Sequence, residues 1–193
     1  MKWRTIGCVA LTASALECAA GTAVLGGNAQ LTGLTRVTLE ENGANAARFA
    51  SSARTGVLDW SKFNIGTGQS MRFDGTGTTF FNLVDGAAGK SQIDGLIGGS
   101  GSVWVINPNG VAFGAGAQVN VGGLFAAAAG NIENADALRA GTATTPAFSS
   151  FAGSVETAAG SRFTADQVAL LGKSVSANGS FTATKLDIGA AGS

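Results

Sequence analysis

Acid and base chemistry in this chain would fall to Asp59, Asp74, Asp85, Asp94, Asp136, Asp166 and Asp187, carboxylates that could flank a glycosidic bond or converge on a cation. They are scattered singly along the sequence, and no paired or metal-ligand spacing emerges. There is no His, which removes Ser-His-Asp and Cys-His nucleophile pairs, HExxH zinc sites and any imidazole acid or base at neutral pH. Both cysteines, Cys8 and Cys18, lie at the amino terminus, so a chain that loses this segment carries no thiol, disulfide or thiolate ligand. Gly98-Gly-Ser-Gly-Ser-Val-Trp-Val105 opens like a calcium-binding nonapeptide, but Val103 occupies the Asp ligand's place and no second copy follows. The G-x-G pairs at Gly66, Gly75 and Gly114 meet Met71, Phe80 and Val119 where the phosphate loop needs its third glycine. The sequence therefore predicts no catalytic residue, no metal and no cofactor.

The chemistry that stands out belongs to the backbone. In Asn107-Pro108-Asn109-Gly110, Pro108 presets φ for the second position of a β-turn, and Asn107 can accept an Asx-type bond ahead of it. Asn109 tolerates unusual backbone angles, and Gly110 releases the chain into the next strand. A turn so specified fixes the register of the strands on both sides. It is a fold determinant first and a recognition surface second.

The elements that would carry this turn are short strands. Apolar residues alternate in bursts such as Met71, Phe73; Val103, Val105; Val119, Val121; and Val168, Leu170, separated by Asp74-Gly75, Asp85-Gly86 and Asn178-Gly179. Val155 and Val175, Gly160 and Gly179, Phe163 and Phe181, and Val168 and Leu186 recur at steps of about 18 to 20 residues, one coil of a solenoid. An all-β parallel solenoid explains the 30 glycines among 193 residues, since narrow corners favour small residues and the interior is filled by Val, Ile, Leu, Phe and Ala. A β-sandwich is the alternative. Asp136 to Arg139 reads as a short helical excursion, within a fold-level expectation of helix near 135–140, and Thr142 to Ser150 reads as a loop. Trp60 and Phe63, with Asn64 beside them, are expected as core or cap aromatics closing the amino-terminal end of the stack.

Charge points the same way. Lys plus Arg and Asp plus Glu both number 12, and charged residues are only 12% of the chain, so the basic footprint of a nucleic-acid binder is missing. Lys2 and Arg4, the apolar stretch Ile6 to Leu16 and the small residues Cys18 to Gly21 give the order of a secretory signal peptide, with cleavage after Ala20 or Ala23. The expected layout is a signal at residues 1–23 and one domain at 24–193.

The sequence resembles the filamentous-haemagglutinin type of secretion domain, also called the haemagglutination activity domain, of two-partner secretion exoproteins. The resemblance is carried by Asp59-Trp60 with Phe63-Asn64-Ile65-Gly66, Asn82-Leu83-Val84, Ser91-Gln92-Ile93-Asp94-Gly95, Ile106-Asn107-Pro108-Asn109-Gly110-Val111 and Gly116 to Leu124. It implies a right-handed parallel β-helix, exported by Sec to the periplasm of a Gram-negative bacterium. There an outer-membrane β-barrel transporter with periplasmic binding domains would recognise it and deliver it to the cell surface or medium, in association with adhesion. Asn82, Ser91, Gln92, Ile93, Gly95 and Asn107 to Gly110 are the implied recognition or fold motif. Leu83 stands where family members commonly carry Arg, so a partner contact made by that Arg is not expected here. No fibre, toxin or long repeat array is present within the 193 residues. A host-cell surface or glycans are further expected partners, with the chain itself a monomer. The competing readings are a polysaccharide-active β-helix enzyme, which needs convergent carboxylates, and a passive glycan-binding module.

Overall fold

The computed structural model describes residues 21–191. The residues read as an export signal lie outside that range up to residue 20, while Thr22–Val24 already forms a strand.

Three strands precede the first coil: β1 (Thr22–Val24), β2 (Ala29–Thr35) and β3 (Thr38–Asn42). The first coil contains β4 (Ala46–Ala50) and β5 (Thr55–Phe63), and the second β6 (Ser70–Asp74), β7 (Thr79–Val84) and β8 (Ser91–Ile93). The third holds β9 (Leu96–Gly99), β10 (Ser102–Ile106) and β11 (Gly110–Phe113). The fourth begins with β12 (Gln118–Val121) and β13 (Leu124–Ala128), then leaves the stack through β14 (Gly130–Ile132), α1 (Ala135–Ala140) and β15 (Phe148–Phe151), and returns as β16 (Ser154–Thr157). The last strands are β17 (Arg162–Thr164), β18 (Gln167–Gly172), β19 (Ser174–Ala177), β20 (Ser180–Thr182) and β21 (Lys185–Ala190).

These strands stack into three long sheets. One runs β1-β2-β5-β7-β10-β13-β18-β21, a second β20-β17-β12-β9-β6-β4-β3, and a third β19-β16-β11-β8. From β4 and β5 onward every pairing within them is parallel, which excludes the sandwich and makes the fold an all-β solenoid. At the amino-terminal end β1, β2 and β3 pair antiparallel instead, so the first coil is capped.

Each coil places one side chain of every strand over its equivalent in the next. Phe80, Val103, Phe125 and Val168 form one such inward column, and Met71, Ile97, Val119 and Phe163 another. All eight are buried in a single continuous core. Rings interlock between coils: Phe113 and Phe163 have centroids 5.0 Å apart, and Phe163 and Phe181 stack at 4.8 Å. The columns end openly at β21, where Leu186 and Ile188 are 44% and 50% exposed.

The excursion differs from its sequence reading in one respect. The helix forms over Ala135–Ala140 and contains the expected Asp136 to Arg139, but Phe148–Phe151, which starts inside the expected loop and ends one residue past it, pairs antiparallel with β14. The cause is apolar. Phe148 lies against Trp104, with centroids 6.3 Å apart, and the excursion covers a second core of Val57, Phe81, Leu83, Ile106, Ala128 and Leu138 on the outer face of the largest sheet. A sheet buried on both faces loses the period-two pattern that identifies a half-exposed strand, as in the run Phe80-Phe81-Asn82-Leu83-Val84.

Candidate functional site

The corner between β10 and β11 gathers most of the motif residues. Gly110 N–H donates to Asn107 O at 2.9 Å, closing the β-turn, and Asn109 N–H donates to Asn107 Oδ1 at 2.9 Å, the Asx bond that the residue types predict. Asn107 is completely buried, and its amide Nδ2 reaches into the preceding coil to donate to Gly89 O at 2.9 Å and Ser91 Oγ at 3.0 Å. Asn107 N–H donates to Ala128 O at 3.0 Å in the following coil. One side chain and its own amide thus tie three successive coils together. Gly110 sits at φ 116°, and a Cβ there would stand 2.6 Å from Ser154 O, so both backbone angle and space require glycine.

A second clasp joins the first three coils within the core. Asn82 is buried at an inward position of β7; it accepts from Trp60 Nε1 at 3.1 Å and donates to Trp104 O at 3.0 Å. Trp60 is in turn enclosed by Phe49 and Phe63, at centroid distances of 5.7 and 5.1 Å, and Leu31 of the cap lies opposite it in register. Trp60 and Phe63 are therefore core residues of the first coil, directly beneath the cap. Among the described residues no buried side-chain nitrogen or oxygen lacks a partner, so these polar groups rigidify the core without a desolvation penalty left standing.

Asn64 and the Ser91 to Gly95 segment form a third group. Asn64 Oδ1 accepts from Gln92 N–H at 2.9 Å, and Asp94 N–H and Gly95 N–H both donate to Ile65 O, at 2.7 and 3.2 Å. Ser91, Ile93 and Gly95 are buried, whereas Gln92 is exposed and donates to Asp94 Oδ1 at 3.1 Å. Pro108 is half-buried and Asn109 exposed, with the Asn109 amide donating to Gly86 O. The motif thus divides into buried residues that hold corners together and two exposed ones, Gln92 and Asn109, with polar groups at the surface. Leu83 belongs to neither set: it is buried beneath Leu138 of the excursion. Sequence reasoning missed this apolar underlay and the inward course of Asn82; hydrophobic residues at both parities of β5 and β7 were the available signal.

Asp59 and Asp136 meet through the Arg139 guanidinium, at 2.7 and 2.8 Å. No group of three or more His, Cys, Asp or Glu able to hold a cation occurs among the described residues. Asp59 pairs with Arg139, at 2.7 Å from Nη2 to Oδ1, and that hydrogen bond raises the Arg139 guanidinium above its ordinary value. Glu156 accepts from Lys90 Nζ at 2.8 Å across the β8–β11–β16 corner column and from Ser154 Oγ at 2.6 Å. The Lys90 bond, helped by Ser154, holds the Glu156 carboxyl below the usual carboxylate range. The pair therefore contributes fully above the unfolded-state value of Glu156, and the contribution fades as pH falls through the lowered folded-state value. Because both side chains are well exposed, Glu156→Gln is expected to lower the urea midpoint slightly at pH 7 and low salt, with the difference from wild type vanishing in strong acid.

Residues 25–193 match the protein family described as the TPS secretion domain. A heme/hemopexin-binding protein of Haemophilus influenzae is 34% identical over 92 residues, covering 47% of this chain and 10% of that relative. A heme/hemopexin-binding protein from strain Rd of the same species is 39% identical over 75 residues, covering 37% of this chain and 8% of the relative. The chain thus aligns with about a tenth or less of each relative's length. With the capped parallel solenoid, the Asn-Pro-Asn-Gly corner and a match that spans nearly all the described residues, the chain belongs to the TPS secretion domain family of two-partner secretion exoproteins.

Proposed function

We propose that this chain is the part of an exoprotein engaged by an outer-membrane β-barrel transporter through its periplasmic binding domains, with Gln92 and Asn109 among the contacting residues. Members of the family cross the periplasm and the outer membrane to reach the cell surface or medium, and this chain follows that route. The observation that carries the reading is the family match over residues 25–193. The exposure of Gln92 and Asn109, beside motif neighbours buried in structural hydrogen bonds, supports the choice of contacts. The role makes and breaks no covalent bond. Both cysteines precede residue 19, so a chain cleaved after Ala20 threads without disulfides, and coils built from near neighbours can form successively once outside. Cleavage after Ala20, rather than after Ala23, also keeps β1 whole.

The finer assignment, delivery of a surface that adheres to host cells or glycans, rests on the resemblance to haemagglutinin-type domains. The relatives' names concern heme and hemopexin, but the aligned stretch is a tenth or less of those proteins, and we assign this chain export rather than either ligand. The test is coexpression with the cognate transporter and assay of the medium. Gln92→Ala with Asn109→Ala is expected to reduce secretion while leaving the unfolding free energy of the purified chain, from urea titration, within about 0.5 kcal/mol of wild type per site. The secreted chain should begin at Gly21 on amino-terminal sequencing. Secretion that persists without the transporter would end this reading.

A further inference from the structure

Arg36 occupies the corner between β2 and β3 at φ 56°, a left-handed conformation that a long side chain adopts only where its surroundings hold it. Its guanidinium and Nε are committed on two sides. Toward the first coil they donate to Thr55 O at 2.8 Å and Thr55 Oγ1 at 2.9 Å. Toward the excursion they donate to Leu138 O at 2.8 Å, which also accepts from Gly141 N–H at 3.1 Å, and to Arg139 O, both carbonyls of the last turn of α1. The same helix is fastened to the first coil from below. Arg139 grips Asp59 of β5 with two bonds, Nη2 to Oδ1 at 2.7 Å and Nε to Oδ2 at 3.2 Å, and Leu138 is buried against the outer face of that sheet.

We propose that the 130–151 excursion is a latch on the amino-terminal cap. Docking of α1 adds the Leu138 and Arg139 carbonyls to the two Thr55 acceptors that hold Arg36, so the β2–β3 corner closes fully only when a segment about a hundred residues downstream is in place. The cap and the excursion then open and close as one unit, although the coils between them are held by their own stacking. For an emerging chain, and here the inference rests on the export reading, the first coil stays incompletely closed until Arg139 is outside.

Hydrogen exchange on the full chain tests the coupling without any transporter, so its failure is distinct from a failure of secretion. Coupling between two sites is reciprocal. Arg139→Ala is therefore expected to accelerate exchange in residues 29–42 as well as in 130–151, and Arg36→Ala to accelerate it in 130–151 as well as in 29–42. Peptides of β16 to β19 should keep wild-type rates in both variants. Arg36→Lys, which keeps the charge but loses the planar fork, gives the same pattern more weakly and serves if an alanine variant does not fold. Arg72→Ala, an exposed arginine beside Asp74, should change neither segment. Acceleration confined to the mutated segment, or spread equally over the whole chain, overturns the latch.

Discussion

Asn107→Ala is expected to destabilise the domain by about 3 kcal/mol, measured as the shift in urea unfolding followed by tryptophan fluorescence. Three bonds go at once: the two amide donations to Gly89 O and Ser91 Oγ, and the Asx acceptance from Asn109 N–H. Ser91 is itself buried, so its hydroxyl loses a partner where water does not readily replace it. Because two of the three bonds join different coils, the loss falls on the stacking of the second coil upon the third as well as on the turn itself. Asn107→Asp is no remedy. It preserves the Asx acceptor but discards both donors and places a carboxylate in a fully buried site. Asn109→Ala, two residues away and exposed, should move the midpoint little, which separates the buried half of the motif from its surface half.

Gly95→Ala is the more severe change, with an expected cost of about 4 kcal/mol and a broadened unfolding transition. The backbone at Gly95 does not require left-handed angles; what it requires is space. A Cβ would run into the carbonyl oxygens of Gln69 and Gly66 and lie 2.8 Å from Cγ2 of Ile65. Two of those three obstacles are main chain of the preceding corner, which cannot rotate away as a side chain can. The corner would have to lift, breaking the Gly95 N–H and Asp94 N–H bonds to Ile65 O and the Leu96 N–H bond to Gln69 O. Gly86→Ala is the matched control: its nearest neighbour is the Asn109 amide at an ordinary 3.8 Å, and little change in midpoint is expected.

The solenoid was legible because its coils are nearly equal in length toward the carboxyl end. Val155 with Val175, Phe163 with Phe181, and Val168 with Leu186 are direct partners in the parallel ladders, as their spacing suggests. Nearer the amino terminus Met71, Ile97 and Val119 also stack in register, but at unequal steps, because the corner at 85–90 is longer and contains its own short 3-10 turn. Periodicity therefore fails there although the structure repeats. The four residue types of Asn107 to Gly110 announced the turn and its Asx bond, since both are local. Their clasp on Gly89 and Ser91 was not readable, because it depends on which corner lies beneath which. The antiparallel β14–β15 pair escaped notice for a related reason: Phe148 and Phe151 look isolated in a polar segment, and their positions follow from ring contacts with each other and of Phe148 with Trp104.

A stack sealed at one end and unsealed at the other has a polarity. At the sealed end the outer edges are β1, only three residues long, β3, which carries Glu40 and Glu41, and β8, bridged at Ile93 by Ile65; short and acidic edges discourage strand addition. At the opposite end Leu186 and Ile188 lie uncovered in the columns that every earlier coil shares. Accretion of further turns is thus favoured on one face only.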